Sequence, residues 1–249
     1  MSWYSRVRAL LTSKWTKVVL FLVCLIPLGG LTWRALHHGL GANPVEFIQL
    51  TTGRWNLRFL VFTLSITPFR RLLNLPDLIR FRRMLGLFAF FYVCLHFLTY
   101  LGPDQSFDLG AMWKDVAKRP FITVGFLGFL LLVPLAITST AGWIRRLGGR
   151  RWRILHRAIY FAAIAGVIHF YWKVKSDVRS PLFYGALVAI LLLWRLGDWF
   201  SRRRFLVAAK LSPEGARVDC TRITASITNG RESKVDRHEN ISSGQSRSS

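Results

Sequence analysis

The sequence predicts an all-α fold: a polytopic membrane helix bundle of about six transmembrane helices with both ends cytoplasmic. Three observations carry this. Hydrophobic residues make up 52% of the 249 positions, and they gather into runs approaching the ~20 residues that cross a bilayer's hydrocarbon core. The formal charge is +23, yet Lys and Arg fall mostly between the apolar runs rather than on one face of a soluble unit, which argues against a nucleic-acid partner. The strongly basic connections also alternate with poorer ones, the pattern of short loops retained on the cytoplasmic side.

The first span, residues 18–36, follows Arg6, Arg8, Lys14 and Lys17. A signal peptide starts similarly, but no small-residue cleavage site follows Leu28-Gly29-Gly30, so the run reads as a retained helix. Residues 55–69 form the weakest span, short and interrupted by Arg58. After it come Arg70, Arg71, Arg80, Arg82 and Arg83, a cytoplasmic connection, and then the apolar run 83–101. In residues 102–119 three cations, Lys114, Lys118 and Arg119, are offset by Asp104, Asp108 and Asp115, as suits the opposite side. Span 120–140 returns to the Arg145, Arg146, Arg150, Arg151 and Arg153 cluster. Spans 153–172 and 181–200 complete the six, and Arg202, Arg203 and Arg204 place the end in the cytoplasm.

Three domains follow: a cytoplasmic lead, 1–17; a transmembrane domain, 18–204; and a basic, Ser-rich cytoplasmic tail, 205–249. The tail has few aromatics and no sustained apolar period, so burial cannot offset its ordering entropy and disorder is expected. Its basic residues suit anionic lipid. Cys24, Cys94 and Cys220 are far apart, two of them in apolar runs, and imply neither a disulfide framework nor a thiolate metal site.

Histidine is the residue type that needs explaining. On the predicted topology the third and fifth helices run outward in parallel. His96 lies 13 residues beyond Arg83, and His169 lies 13 beyond His156, each about 20 Å at helical rise, so both sit near the outer ends of their helices. Imidazoles at one level on neighbouring helices can take the two axial positions of a heme iron. Small residues, Ala162, Ala163, Gly166 and Gly86, would let a flat ring approach. Histidines that merely hydrogen-bond across helices are the alternative, and His156 lies near enough to the Arg cluster to be interfacial. His37 and His38 fall in an outer loop beside Gly39 and Gly41, and His238 in the tail. No nucleotide fingerprint, phosphate loop, nucleophile elbow or HExxH pattern is present, so no substrate-converting site is expected.

Taken in order, GANPVEFIQLTTGRW, LSITPFRR, IRFRRMLGLFAFFYVCLHFLTY, KRPFITVGF, LAITST, LHRAIYF and HFYW resemble the heme-binding membrane subunits of the bacterial periplasmic methionine-sulfoxide reductase system. The resemblance covers about residues 37–195. That family lies in the ferric-reductase-like transmembrane superfamily. The resemblance implies a b-type cytochrome of the bacterial inner membrane that feeds a periplasmic molybdopterin-containing catalytic subunit. That partner reduces methionine sulfoxide in oxidised envelope proteins. The implied electron source is the quinone pool or a cytoplasmic flavin reductase. FMN is a second cofactor implied by the family alone, with no motif here to locate it.

Two-heme members of the superfamily carry paired histidines on two helices. Here His156 and His169 match the pair on one helix and His96 matches the outer ligand on the other, but Arg82 stands where the inner histidine would be. One heme between His96 and His169 is therefore expected, with His156 packing or contacting a propionate; a single mobile site that takes His156 as one ligand is left open, as is a second, inner heme at His156. Its partner would be Arg82, Arg83 or Met84, and arginine, normally protonated, suits propionate better than iron. Two other function classes are alternatives. A self-contained transmembrane metal or oxygen reductase would need a cytoplasmic nucleotide-binding module that the tail is too short to form. A transporter with proton-relay histidines would be expected to carry acidic residues in mid-span.

Overall fold

A computed structural model describes residues 3–174 and 177–211. The chain divides at Trp194 into a helical bundle and a C-terminal unit from Arg195 onward. Of the expected tail, residues 212–249 lie outside the described residues.

Nine α-helices follow one another without a strand among the described residues: α1 (Trp3–Thr12), α2 (Lys14–Leu36), α3 (Pro44–Leu72), α4 (Ile79–Thr99), α5 (Leu109–Lys118), α6 (Pro120–Ile137), α7 (Ala141–Leu155), α8 (Ala158–Lys173) and α9 (Arg179–Leu211). Among the described residues, four stretches are long and apolar enough to cross a membrane, at Lys14–Leu36, Pro76–Asp104, Pro120–Ile137 and Arg179–Ser201. The pair α7 and α8, bent by 43°, adds a fifth. The second expected span is the 29-residue α3, which starts well before residue 55. Glu46, Arg54 and Arg58 dilute its apolar character. Arg58 is nevertheless accommodated: its Nε donates to the Tyr184 hydroxyl at 2.9 Å and its guanidinium lies 4.4 Å from the Trp55 ring centre, so the charge is solvated by protein groups rather than left in hydrocarbon.

Local signals set the helix starts. Asn43 caps α3 by accepting from the Glu46 amide at 3.2 Å, ahead of Pro44 at the first helical position. Pro120 opens α6 in the same way, and Thr140 caps α7. Beyond Thr99 the α4 backbone widens into a π turn, Tyr100–Asp104, that contains Pro103.

Four helices make the centre. α3 packs along α4, α6 along α8, and the two pairs meet through α4 with α6 and α3 with α8; α2 lies against α3 and α4. The core joins Phe59, Leu60, Leu64, Phe88, Tyr92, Leu132, Ile159 and Ala163. Outside it, Val19, Leu22 and Ile26 of α2, Leu127 and Leu130 of α6, and Phe183 of α9 are exposed, as lipid-facing positions should be.

At the basic end, α1 is tied to the α3–α4 connection. Arg8 Nε donates to Asp77 Oδ2 at 2.9 Å, and Arg80 Nη1 donates to the Thr12 carbonyl at 3.1 Å. The connection between α6 and α8, expected as a basic loop running into one straight span, is the helix α7, which ends at His156. Trp152 Nε1 donates to the Thr138 carbonyl at 2.9 Å, and this bond back to the end of α6 fixes the bend.

Candidate functional site

The outer ends of α3, α4, α6 and α8 surround a cavity that encloses about 1300 Å³ of empty space, its mouth included. His96 and His169 both line it. Their ring centres stand 6.0 Å apart with planes at 80°. Residues on two helices, far apart in sequence, are thus brought together, edge to face.

Each imidazole is held by the same device. Nδ1 of His96 donates to the carbonyl of Gln49 in α3 at 2.9 Å, and Nδ1 of His169 donates to the carbonyl of Phe121 in α6 at 2.6 Å. A carbonyl only accepts, so Nδ1 carries the proton and Nε2 keeps the free lone pair in both rings. Four residues after each carbonyl comes a glycine. A β-carbon at Gly53 would lie 3.1 Å from His96 Nδ1, and one at Gly125 would lie 2.5 Å from His169 Nδ1. The glycines open the helix surface so that a ring can reach the carbonyl one turn earlier. The repeated pattern in Gln49-Leu-Thr-Thr-Gly53 and Phe121-Ile-Thr-Val-Gly125 was the available sequence signal for these four positions, none of which spacing of the histidines alone points to.

Two free imidazole nitrogens can ligate one metal ion. No group of three or more His, Cys, Asp or Glu side chains is arranged to do so among the described residues. An ion held here must therefore bring its other ligands with it, as the iron of a macrocycle does. Metal–nitrogen bonds are about 2 Å long, so two imidazoles whose ring centres stand 6.0 Å apart could hold one ion between them. The deeper walls are apolar, with Leu57, Leu60, Val93, Phe129 and Leu132. Asn56 interrupts them with an Oδ1 that is buried and has no hydrogen-bond partner.

Of the small residues singled out in the sequence, Ala162 and Gly166 line this cavity. Ala163 is fully buried in the core, and Gly86 faces Thr63 of α3.

His156 lies elsewhere, half-buried at the junction of α7 and α8. Its Nε2 is 3.1 Å from Thr138 Oγ1, and that hydroxyl donates its own proton to the Pro134 carbonyl at 2.6 Å. The imidazole must therefore be the donor, which occupies Nε2. Trp152 packs against the ring with centres 4.0 Å apart. Arg82 is close enough for its charge to act on His156. Met84 packs against the hydrophobic core and Arg83 is exposed.

Residues 52–167 match the family described as ferric reductase like transmembrane component. The matched region takes in Gly53, His96, Gly125 and His156 and stops two residues short of His169. Among curated proteins, the chain is 56% identical over 182 residues to the protein-methionine-sulfoxide reductase heme-binding subunit MsrQ of Herminiimonas arsenicoxydans, covering 72% of this chain and 84% of that protein. It is 50% identical over 195 residues to the protein of the same name from Caulobacter vibrioides, covering 78% and 90%. A third, from Rhodospirillum rubrum, is 50% identical over 188 residues, covering 76% and 90%.

Proposed function

The chain belongs to the ferric-reductase-like family of protein-methionine-sulfoxide reductase heme-binding subunits, and from that premise we propose that it binds heme b between His96 and His169 and carries electrons across the membrane. The observation that carries this reading is the matched pair of Nδ1–carbonyl hydrogen bonds, which leaves two Nε2 lone pairs in one cavity. Carbonyl partners of this kind fix the tautomer and orientation of ligating imidazoles and make them better donors.

His96 and His169 would hold the iron through their Nε2 atoms. Gln49 and Phe121 hold the rings, while Gly53 and Gly125 make room for them. The apolar lower walls keep water from the macrocycle faces. Bound heme would supply a one-electron couple whose potential these groups tune. The chain converts no substrate itself. Electrons come from the quinone pool or a cytoplasmic flavin reductase and leave at the outer face to a periplasmic molybdopterin-containing subunit, which reduces methionine sulfoxide in oxidised envelope proteins. The bacterial inner membrane is the corresponding location. FMN, which the family resemblance also suggests, is assigned no residues.

The engagement of His156 Nε2 by Thr138 supports one heme per chain; a second, inner heme would require that bond to be given up. The test is heme quantification with a reduced-minus-oxidised spectrum for the wild type and for His96→Ala, His169→Ala and His156→Ala. The first two should each remove the bis-imidazole spectrum, and His156→Ala should leave it with one heme per chain. An intact bis-imidazole spectrum in both His96→Ala and His169→Ala would overturn the assignment.

A further inference from the structure

The cavity changes character along its depth. Below the histidines its walls are apolar apart from Asn56, whereas Arg54, Arg119 and Lys173 also line it. Lys173 lies four residues beyond His169 on α8, hence one turn further outward on the same face. Its charge reaches both imidazoles. Arg119 precedes α6 and is engaged by Asp115, Nε to Oδ1 at 3.3 Å. Arg54 follows Gly53, and side chains on a helix lean toward its N-terminus, which for α3 is the outer end. Neither Arg54 nor Lys173 has an ion-pair partner among the described residues. Asp104 is the one acidic group lining the same space.

Cations on this side run against the charge bias that orients the chain, so a local partner would explain them better than topology does. Resting on the heme reading, we infer that Arg54 and Lys173 form a carboxylate-binding lip that takes the two propionates of the macrocycle at the outer mouth. An ionised carboxylate cannot be left against Leu57, Leu60 and Leu132 without a large desolvation cost. At the lip it gains charge-assisted hydrogen bonds. The propionate edge then faces outward, and the vinyl-bearing edge enters the apolar end. Arg54 and Lys173 act on the macrocycle's orientation, and the two histidines hold its iron.

The test uses full-length apoprotein in detergent, reconstituted with hemin or with hemin dimethyl ester, whose propionates carry no charge. Wild type should bind hemin at least about tenfold more tightly than the ester, from the loss of charge-assisted bonds. In Arg54→Gln/Lys173→Gln the affinity for hemin should fall to that for the ester, while the ester binds as it does to wild type. Both residues are exposed, and a melting curve checks that the variant is folded; the ester comparison in wild type needs no variant at all. Equal binding of hemin and ester by wild type, each with a bis-imidazole spectrum, would overturn the lip. So would full retention of the hemin preference in the double variant. If neither porphyrin gives a bis-imidazole spectrum in wild type, the heme reading itself falls, and the lip with it.

Discussion

Gly125 and Gly53 perform the same task with different clearances, and that difference is measurable. A β-carbon at Gly125 would meet His169 at 2.5 Å from Nδ1, 2.8 Å from Cε1 and 3.0 Å from Cγ, whereas at Gly53 the corresponding approaches to His96 are 3.1 Å to Nδ1 and Cε1 and 3.7 Å to Cγ. The first is too close for any adjustment short of moving the ring off the Phe121 carbonyl; the second asks for a few tenths of an ångström. Gly125→Ala should therefore lose the bis-imidazole absorption spectrum, while Gly53→Ala retains heme with a shifted midpoint potential. A wild-type spectrum and heme content in Gly125→Ala would show that the ring does not need that space. At the other histidine, Thr138→Val removes the acceptor of His156 Nε2–H. With the donor left half-buried, this should cost about 1–3 kcal/mol of stability and leave the heme spectrum unchanged. A spectral change in Thr138→Val would instead connect His156 to a heme.

At the scale of elements, the interruption that Pro27 makes in the α2 hydrogen-bond ladder has an identifiable clamp. Pro27 lacks an N–H and pushes against the preceding turn. Next to it, Tyr92 of α4 bridges the pair that an unbroken helix would join directly: its hydroxyl donates to the Cys24 carbonyl at 3.0 Å and accepts from the Leu28 amide at 3.2 Å. One side chain thus satisfies two backbone groups and pins α2 to the core. Tyr92→Phe should destabilise by about 1–3 kcal/mol, read from denaturant titration in detergent. In a Pro27→Ala background, where Leu28 N–H can return to Cys24, the same change should cost less. Equal costs in the two backgrounds would mean that the hydroxyl does not stand in for the helix bond lost beside Pro27. Elements of this kind mark where sequence reading stops. The apolar runs were legible because bilayer thickness imposes a length, and the depth of His96 and His169 because helical rise is constant. The break at His156 was not, since it depends on Trp152 and His156 reaching back to Thr138. Nor were Gln49 and Phe121 as partners, for each is brought to its histidine by helix pairing across 47 or 48 residues.

For the whole molecule, the decisive property is which way the bundle faces, because the cavity lies toward one end. The α3–α4 and α6–α8 connections are flanked by or filled with Arg70, Arg71, Arg80, Arg83, Arg145, Arg146, Arg150 and Arg151, whereas residues 37–43 carry no Lys or Arg. Moving the basic end across the bilayer would be far costlier than moving the other. The mouth of the cavity shares its end with α5, whose Met112 and Val116 pack with Tyr100 while Trp113 remains exposed. On the proposed reading, an electron acceptor outside the membrane would approach there. Single cysteines at two exposed positions test this orientation: Lys114→Cys on α5 and Arg150→Cys on α7, in a background lacking Cys24, Cys94 and Cys220. In right-side-out vesicles a membrane-impermeant maleimide should label position 114 at once and position 150 only after lysis, and inside-out vesicles should give the reverse. Labelling of position 150 in intact right-side-out vesicles would invert the bundle. The histidine pair would then lie on the cytoplasmic side, and the proposed route to a periplasmic reductase would fail.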